Sequence, residues 1–347
     1  MHPARGAVNH SMRTERIIVD SLRPEPAALE HAAALLRDGK LVAFPTETVY
    51  GLGAHALDSQ AVGRIFAAKG RPANNPLIVH VAEIAQARQL TRAWPPRAER
   101  LAERFWPGPL SLVLEKQPHV PGVVTAGSST VAVRIPAHPV AQQLLAVAGM
   151  PVAAPSANRS TRISPTSAEH VLAGLDGRID LVLDAGPTPG GLESTVLDLT
   201  CTPPRLLRPG LIALAELEAA LEEPVASGAL SLDERRALPS PGMLARHYAP
   251  IVPVECVPGD GWQRVCELAA EGKRVGWLAW GWPPHPVSAE VMLVWLPDSV
   301  EQYSAWLYAA LHAFEGAGVE RIVAALPPDE PAWLAVRDRL TRASAPK

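Results

Sequence analysis

Lys69-Gly70-Arg71 followed by Asn74-Asn75 puts two cations and two amides at a helix-to-loop junction. Gly70 lets the backbone turn there. A lysine is a point charge and an arginine a fork, a pair suited to a polyphosphate. The same cations also suit a helix C-terminus, where they complement the dipole. Pro155-Ser156-Ala157-Asn158 follows an apolar strand, with Ser160 and Ser164 just beyond. These residues offer donors to phosphate oxygens at a strand end, or they brace a turn with their own side chains. Arg134 ends the apolar strand VAVRI and needs a partner, either a ligand carboxylate or a protein acid such as Glu193. His80 in LIVHV reads as a site residue or as a satisfied core histidine. Ser194 and Arg208 end two later strands with the same two readings.

Other chemistries find no support. Gly51-Leu-Gly53-Ala-His-Ala56 imitates a dinucleotide fingerprint, but that motif wants an acid about 20 residues on, and none occurs between Asp58 and Glu83. There is no GxxxxGK[ST] loop, no HExxH and no GxSxG elbow, and no spacing of Ser, His and Asp favours a triad. Cys201, Cys256 and Cys266 are odd in number and form no CxxC pair. This argues against a disulfide framework or a cysteine zinc site and points to a reducing cytoplasm.

These residues need elements to position them. At 347 residues with 48% hydrophobic and 19% charged residues, the chain can build two cores. Residues 1–212 hold 21 Lys+Arg against 17 Asp+Glu, a net +4, whereas 213–347 hold 11 against 18, a net −7. The mildly basic first part suits an anionic ligand. No apolar run approaches the ~20 residues of a membrane helix. Residues 1–15 read as a loose leader without the apolar core of a secretory signal, and Met12 is an alternative start. Residues 16–212 alternate strand and helix signals. Pro26–Arg37 and the segment from Asp58 to Lys69 read as helices, and Lys40–Phe44, Leu77–Val81, Leu110–Glu115, Val131–Ile135 and Leu181–Asp184 as strands. Residues 213–250 hold an acidic helix and a linker punctuated by Pro, Gly and Ser. Residues 251–347 carry a βαββαβα pattern expected to give a small parallel, Rossmann-like sheet.

Read in order, PTETVYGLG, KGRPANNPLIVHV, AVRIP, APSAN, GLESTVLD and LLRPG closely resemble the threonylcarbamoyl-AMP synthase family over about residues 16–212. The linker SPGMLARHYAP and the α/β domain behind it resemble the two-domain version. Where family members usually show Gly-Pro-x-Thr, this chain has Gly108-Pro-Leu-Ser111, which keeps the hydroxyl.

The resemblance implies an α/β fold whose first domain is a twisted, mixed or mostly parallel sheet around a concave positive cavity. It implies synthesis of L-threonylcarbamoyl-adenylate and pyrophosphate from L-threonine, bicarbonate and ATP, with Mg2+ carried on the phosphates. The product would pass to the machinery that modifies position 37 of ANN-decoding tRNAs. Motif positions give Lys69 and Arg71 the catalytic and phosphate-binding roles, with Asn75 beside them. Thr130, Ser156, Ser164 and Arg208 would complete the nucleotide site, and Tyr248 with His247 would reach over it from a lid-like linker. Thr48, His80, Arg134, the Ala154 backbone and Ser194 would surround threonine. No dedicated metal cage is expected. The competing expectation is an RNA-binding module of the same fold, without synthase activity.

Overall fold

The computed structural model describes residues 13–228, 238–244, 246–281 and 285–346. Most of the expected leader, the Met12 start and the middle of the linker lie outside these residues. The first half contributes β1 (Glu15–Ile18), α1 (Pro26–Arg37), β2 (Val42–Phe44), β3 (Gly51–His55), α2 (Ser59–Lys69), β4 (Ile78–His80), α3 (Ile84–Leu90), α4 (Pro96–Phe105), β5 (Leu110–Glu115), β6 (Thr130–Arg134), α5 (Pro139–Ala148), β7 (Val152–Ala153), α6 (Ala168–Leu175), β8 (Leu181–Asp184), β9 (Thr195–Asp198), β10 (Arg205–Arg208) and α7 (Leu214–Leu221). The second half adds β11 (Val254–Val257), α8 (Trp262–Ala270), β12 (Val275–Trp280), β13 (Val291–Leu296), α9 (Val300–Gly316), β14 (Arg321–Ala325) and α10 (Leu334–Ser344).

Ten strands form one sheet in the order β1-β8-β2-β3-β7-β4-β6-β5-β9-β10. It is mixed: β1–β8, β2–β8, β4–β6 and β5–β9 run parallel, and the other five pairings are antiparallel. The smaller sheet, β11-β14-β12-β13, is parallel throughout, as the βαββαβα pattern requires.

The GLGAHA segment, set aside above as a dinucleotide imitation, proves to be a strand. It is not a phosphate loop but strand β3, hydrogen-bonded between β2 and β7. Its glycines serve packing: a Cβ on Gly53 would sit 2.9 Å from both Phe44 and Val152. Helix α2 ends as its sequence dictates. Asp58 caps the start by accepting from the Gln60 and Ala61 amides, and Gly70 closes the end in the left-handed conformation.

Strand alternation decides where a site can form. In β4, β6, β5 and β9 one set of residues (Val79, Val133, Leu112, Leu197) packs under the helices α2, α4 and α7. The alternate set (Ile78, Ala132, Val113, Val196) faces away and is covered by Leu238 and Met243 of the linker instead of a helix. His80 and Arg134 share that second face, two residues beyond Ile78 and Ala132, and lie in register as neighbours. The central strands therefore present polar side chains on the face that the linker covers.

The two halves share a core. Val49, Ile163, Leu192 and Tyr248 pack with Tyr303, Leu307, Tyr308 and Leu340 of α9 and α10. At Gly191 (φ +73°) the first half meets the α9 backbone so closely that an added Cβ would lie 2.2 Å from the Ser304 carbonyl oxygen.

Candidate active site

One cavity brings together residues scattered over 200 positions. Thr48, Arg71, His80, Arg134, Ala154, Ser156, Ser194, Arg208, His247 and Tyr248 all line it, along with Glu193. Three other expected residues, Lys69, Asn75 and Ser164, bond lining residues from behind the wall, and the fourth, Thr130, lies apart from it. Lys69, buried at the end of α2, donates its Nζ to the Ser156 carbonyl at 2.6 Å and to the Asn158 carbonyl. Asn75 holds Arg71, whose guanidinium donates to Asn75 Oδ1 at 2.6 Å, to the Asn75 carbonyl at 3.0 Å and to the Pro76 carbonyl at 2.7 Å. Thr130 sits at the start of β6, its hydroxyl 2.9 Å from that of Ser128. Ser164 donates to Glu193.

Two arginines organise the rest. Arg208 donates to the Ser194 carbonyl at 2.9 and 3.0 Å and to Ser194 Oγ at 3.0 Å, and Ser194 Oγ lies 2.9 Å from Ser111 Oγ. The serine at position 111 thus supplies the hydroxyl that the family motif provides as threonine. Arg134 donates to Thr48 Oγ1 at 3.0 Å and to the Gly108 carbonyl at 3.2 Å. Its protein acid is Glu47, 2.7 Å away, and not Glu193. That contact is close but poorly aligned, and neither Glu47 oxygen has a hydrogen-bond donor. A carboxylate already leans on Arg134 without saturating it.

Glu193 is committed elsewhere. Arg339 from α10 donates to Glu193 Oε2 at 2.8 Å, and the Tyr308 hydroxyl of α9 donates to the same oxygen at 3.0 Å. Arg339 also donates to the Pro209 carbonyl at 3.0 Å and stacks 4.8 Å over the Tyr248 ring. Thus a buried triad, completed from the second half, braces the residue preceding Ser194 and the aromatic from the linker. Nothing in the spacing of α10 marks Arg339, since Arg337, Arg339 and Arg342 read alike in sequence. Only docking of the helix selects which arginine is enclosed.

Burial and crowded positive charge set the protonation states. Burial, then the charges of Arg71 and Arg159, pull the Lys69 ammonium well below its usual range. Burial brings Arg71 down to about 9. His80 falls to about 3, from burial and then Arg134, so it is a neutral imidazole. His247 is likewise held neutral, by burial and then by Arg71, Lys69, Arg208 and Arg339. Burial pushes the Glu193 carboxyl up, but Arg339 and Arg208 outweigh it, and the net shift is downward. Three guanidiniums, Arg71, Arg134 and Arg208, thus line the wall with one ionised carboxylate, Glu193, an excess of positive charge that a polyphosphate would offset.

His247 and Tyr248 are the linker's contribution. Tyr248 is fully buried with φ +59°, an uncommon conformation for a bulky residue. Its ring stacks 5.8 Å from Tyr308, and its hydroxyl has no partner. With both residues in place the cavity keeps about 40 Å3 of free space. His247 and Tyr248 both line this space and are themselves buried.

Comparison with known proteins identifies the family. A family model described as "Telomere recombination" (Sua5, YciO, YrdC) matches residues 34–210, and one described as "Threonylcarbamoyl-AMP synthase, C-terminal domain" matches 212–345. The chain is 47% identical over 333 residues to a threonylcarbamoyl-AMP synthase of Pyrococcus abyssi, spanning 93% of this chain and 95% of that protein. It is 44% identical over 342 residues to the Bacillus subtilis protein of the same name, spanning 96% and 98%. The crystal structure of P. abyssi Sua5 complexed with L-threonine superposes with a TM-score of 0.87 at 43% identity, covering 95% of this chain and 98% of that one.

Proposed function

The chain belongs to the threonylcarbamoyl-AMP synthase family, and from that premise we propose that it joins L-threonine, bicarbonate and ATP into L-threonylcarbamoyl-adenylate and pyrophosphate. The observation that carries this reading is the single cavity in which a carboxylate fork, Arg134, faces the same space as the phosphate cations Arg71 and Arg208.

Threonine's carboxylate takes the place at Arg134 that Glu47 now approaches, gaining the bidentate geometry that Glu47 lacks. Thr48, Ser194 and neutral His80 then surround its amine and hydroxyl. The amine adds to the carbon of bicarbonate-derived CO2 and loses a proton, giving a carbamate. A carbamate oxygen attacks the α-phosphorus, and the bond to pyrophosphate breaks. This transfer asks for positioning and charge neutralisation more than for a protein nucleophile. Arg71 and Arg208 face the triphosphate. Lys69 exchanges its carbonyl partners for phosphate oxygens or stiffens the loop carrying Ser156. Closure by His247 and Tyr248 excludes water from the reactive adenylate.

The donor set fits a magnesium ion that arrives on ATP. Hydroxyls of Thr46, Thr48 and Ser156 line the cavity, and no group of three His, Cys, Asp or Glu gathers among the described residues. Bound there, Mg2+ would neutralise phosphate charge, with the nucleotide and water as its main ligands.

The adenylate goes to the transferase that modifies position 37 of ANN-decoding tRNAs, which places the reaction in the cytoplasm. The RNA-module alternative finds less support, because the polar strand face is roofed by the linker and is not open to a strand of nucleic acid. Among the described residues no helix is long and apolar enough to cross a membrane. Pyrophosphate release that requires threonine and bicarbonate together tests the reading. Release with ATP alone contradicts it.

A further inference from the structure

A second basic cleft, sharing no lining residue with the active cavity, opens between the two halves. Its volume is about 350 Å3. Arg159 and Arg162 come from the loop after Asn158, His170 and Arg178 from α6 and the turn beyond it, and His312 and Glu315 from α9. Among the described residues none of the three guanidiniums has an acid or carbonyl within hydrogen-bonding reach, whereas Arg134, Arg208 and Arg339 are each held by two or more groups. The lone acid, Glu315, is already engaged by the Ile251 amide and lies 3.9 Å from His312 Nδ1. His170 and His312 stack face to face at 3.8 Å across the junction. Three guanidiniums of the first half thus converge on one acid-poor space, beside two imidazoles that burial keeps neutral.

The arginine loop is built and not merely exposed. Asn158 is buried, and its Nδ2 donates to the Arg159 and Arg162 carbonyls at 2.8 Å each, fixing the turn. Asn158 Oδ1 is a buried acceptor without a donor. Thr161 is held at φ +66°, rare for a β-branched residue, and its carbonyl accepts from Ala249 next to Tyr248. On its other side the loop accepts Lys69 through the Asn158 carbonyl. The cleft therefore lies back to back with the phosphate cations and touches the end of the linker.

We propose that this cleft is a second anion site that takes pyrophosphate on its way out of the active cavity. Identifying the anion rests on the synthase reading; the site itself does not. Three unpaired forked cations match a compact, multiply charged phosphate, and the loop shared with Lys69 and Ala249 ties its occupancy to the linker.

Titration of sodium pyrophosphate into the full chain by calorimetry tests this. Two sites per chain are expected. Arg162→Ala with Arg178→Ala should weaken one of them at least ~100-fold, about tenfold for each guanidinium removed from the anion. The initial rate of threonine-dependent pyrophosphate release should stay unchanged. Arg71→Ala should weaken the other site and leave the cleft intact. Arg178→Ala alone, at an exposed position, gives the partial effect without disturbing the core. One site in the native chain, or an unaltered titration in the double variant, overturns the proposal. So does binding of a short RNA stem-loop that depends on Arg162 and Arg178 while pyrophosphate does not bind there. Pyrophosphate binding in the cleft of a chain that makes no adenylate would sink the synthase reading and leave the site standing.

Discussion

Replacing Arg339 should damage both stability and synthesis, although α10 supplies no residue to the cavity wall. Arg339 is fully enclosed, and Glu193 is nearly so at 7% side-chain exposure. Removing one member of such a pair strands the other charge, at a typical cost of about 3–5 kcal/mol. Here Glu193 keeps Tyr308 and Ser164 as donors and Arg208 nearby, so Arg339→Met should fall near the low end, about 3 kcal/mol. Loss of the cation over Tyr248 adds about 0.5–2 kcal/mol. Glu193→Gln leaves Arg339 with Asp338 at 2.7 Å and should cost less than Arg339→Met. The double variant should cost clearly less than the sum, with a coupling of about 1–3 kcal/mol. Urea unfolding of all four proteins, followed by circular dichroism, gives the cycle. Adenylate synthesis should fall in Arg339→Met even at temperatures where the protein is fully folded, because Tyr248 loses its brace. Additivity within about 0.5 kcal/mol would refute the idea that this pair couples the two halves.

Lys69→Ala and Arg71→Ala should each lower turnover about 10²–10³-fold, the scale for one preorganised charge-stabilising donor, and near-normal turnover in steady-state assays would place the phosphates elsewhere. Arg134→Lys should raise the KM for threonine more than that for ATP, since lysine has no fork; equal effects on both would make Arg134 structural. Acid should destabilise the junction through His312, held from its ordinary 6.5 down to about 3 by burial, then by the charges of His170 and Arg162. Between pH 6.5 and 3 the unfolded chain takes up a proton that the native one refuses, so stability present above 6.5 is lost as pH falls, by up to about 1.4 kcal/mol per pH unit. Glu315, Glu169, Arg162 and His170 are the other charged or titratable groups around it. His312→Gln should flatten that limb of the stability–pH curve, and an unchanged slope in urea titrations would exclude His312 as its source. Tyr248→Ala empties a fully buried aromatic site at a cost of about 3–5 kcal/mol, and should lower synthesis even at temperatures where the protein stays folded; full activity would make the linker a passive tether.

Much of this was legible in the sequence where a local rule and the tertiary structure agree. The strands Leu110–Glu115 and Leu181–Asp184 are largely apolar because both faces are buried along most of their length, and helix α2 carries its cap residues openly. Arg134 and His80 stood out as polar side chains in apolar strands, which is how a site on a sheet face announces itself. Strand β3 was hidden because its glycines imitate a phosphate loop, and their reason, the approach of Phe44 and Val152, is non-local. Helix α3 was missed because it is seven residues long and has no side-chain cap. The partner of Arg134 was misread because Glu47 and Glu193 are equally plausible by motif, and only the docking of α10 commits Glu193 to Arg339. The basic cleft was illegible for the same reason, since its walls come from both halves.

The most direct test is mass spectrometry of the nucleotide products when the full chain is given ATP, L-threonine and 13C-bicarbonate. One adenylate bearing threonine and a single 13C-labelled carbamoyl carbon, formed together with pyrophosphate, is expected. Formation of ADP and phosphate, or of an adenylate lacking the labelled carbon, would contradict it.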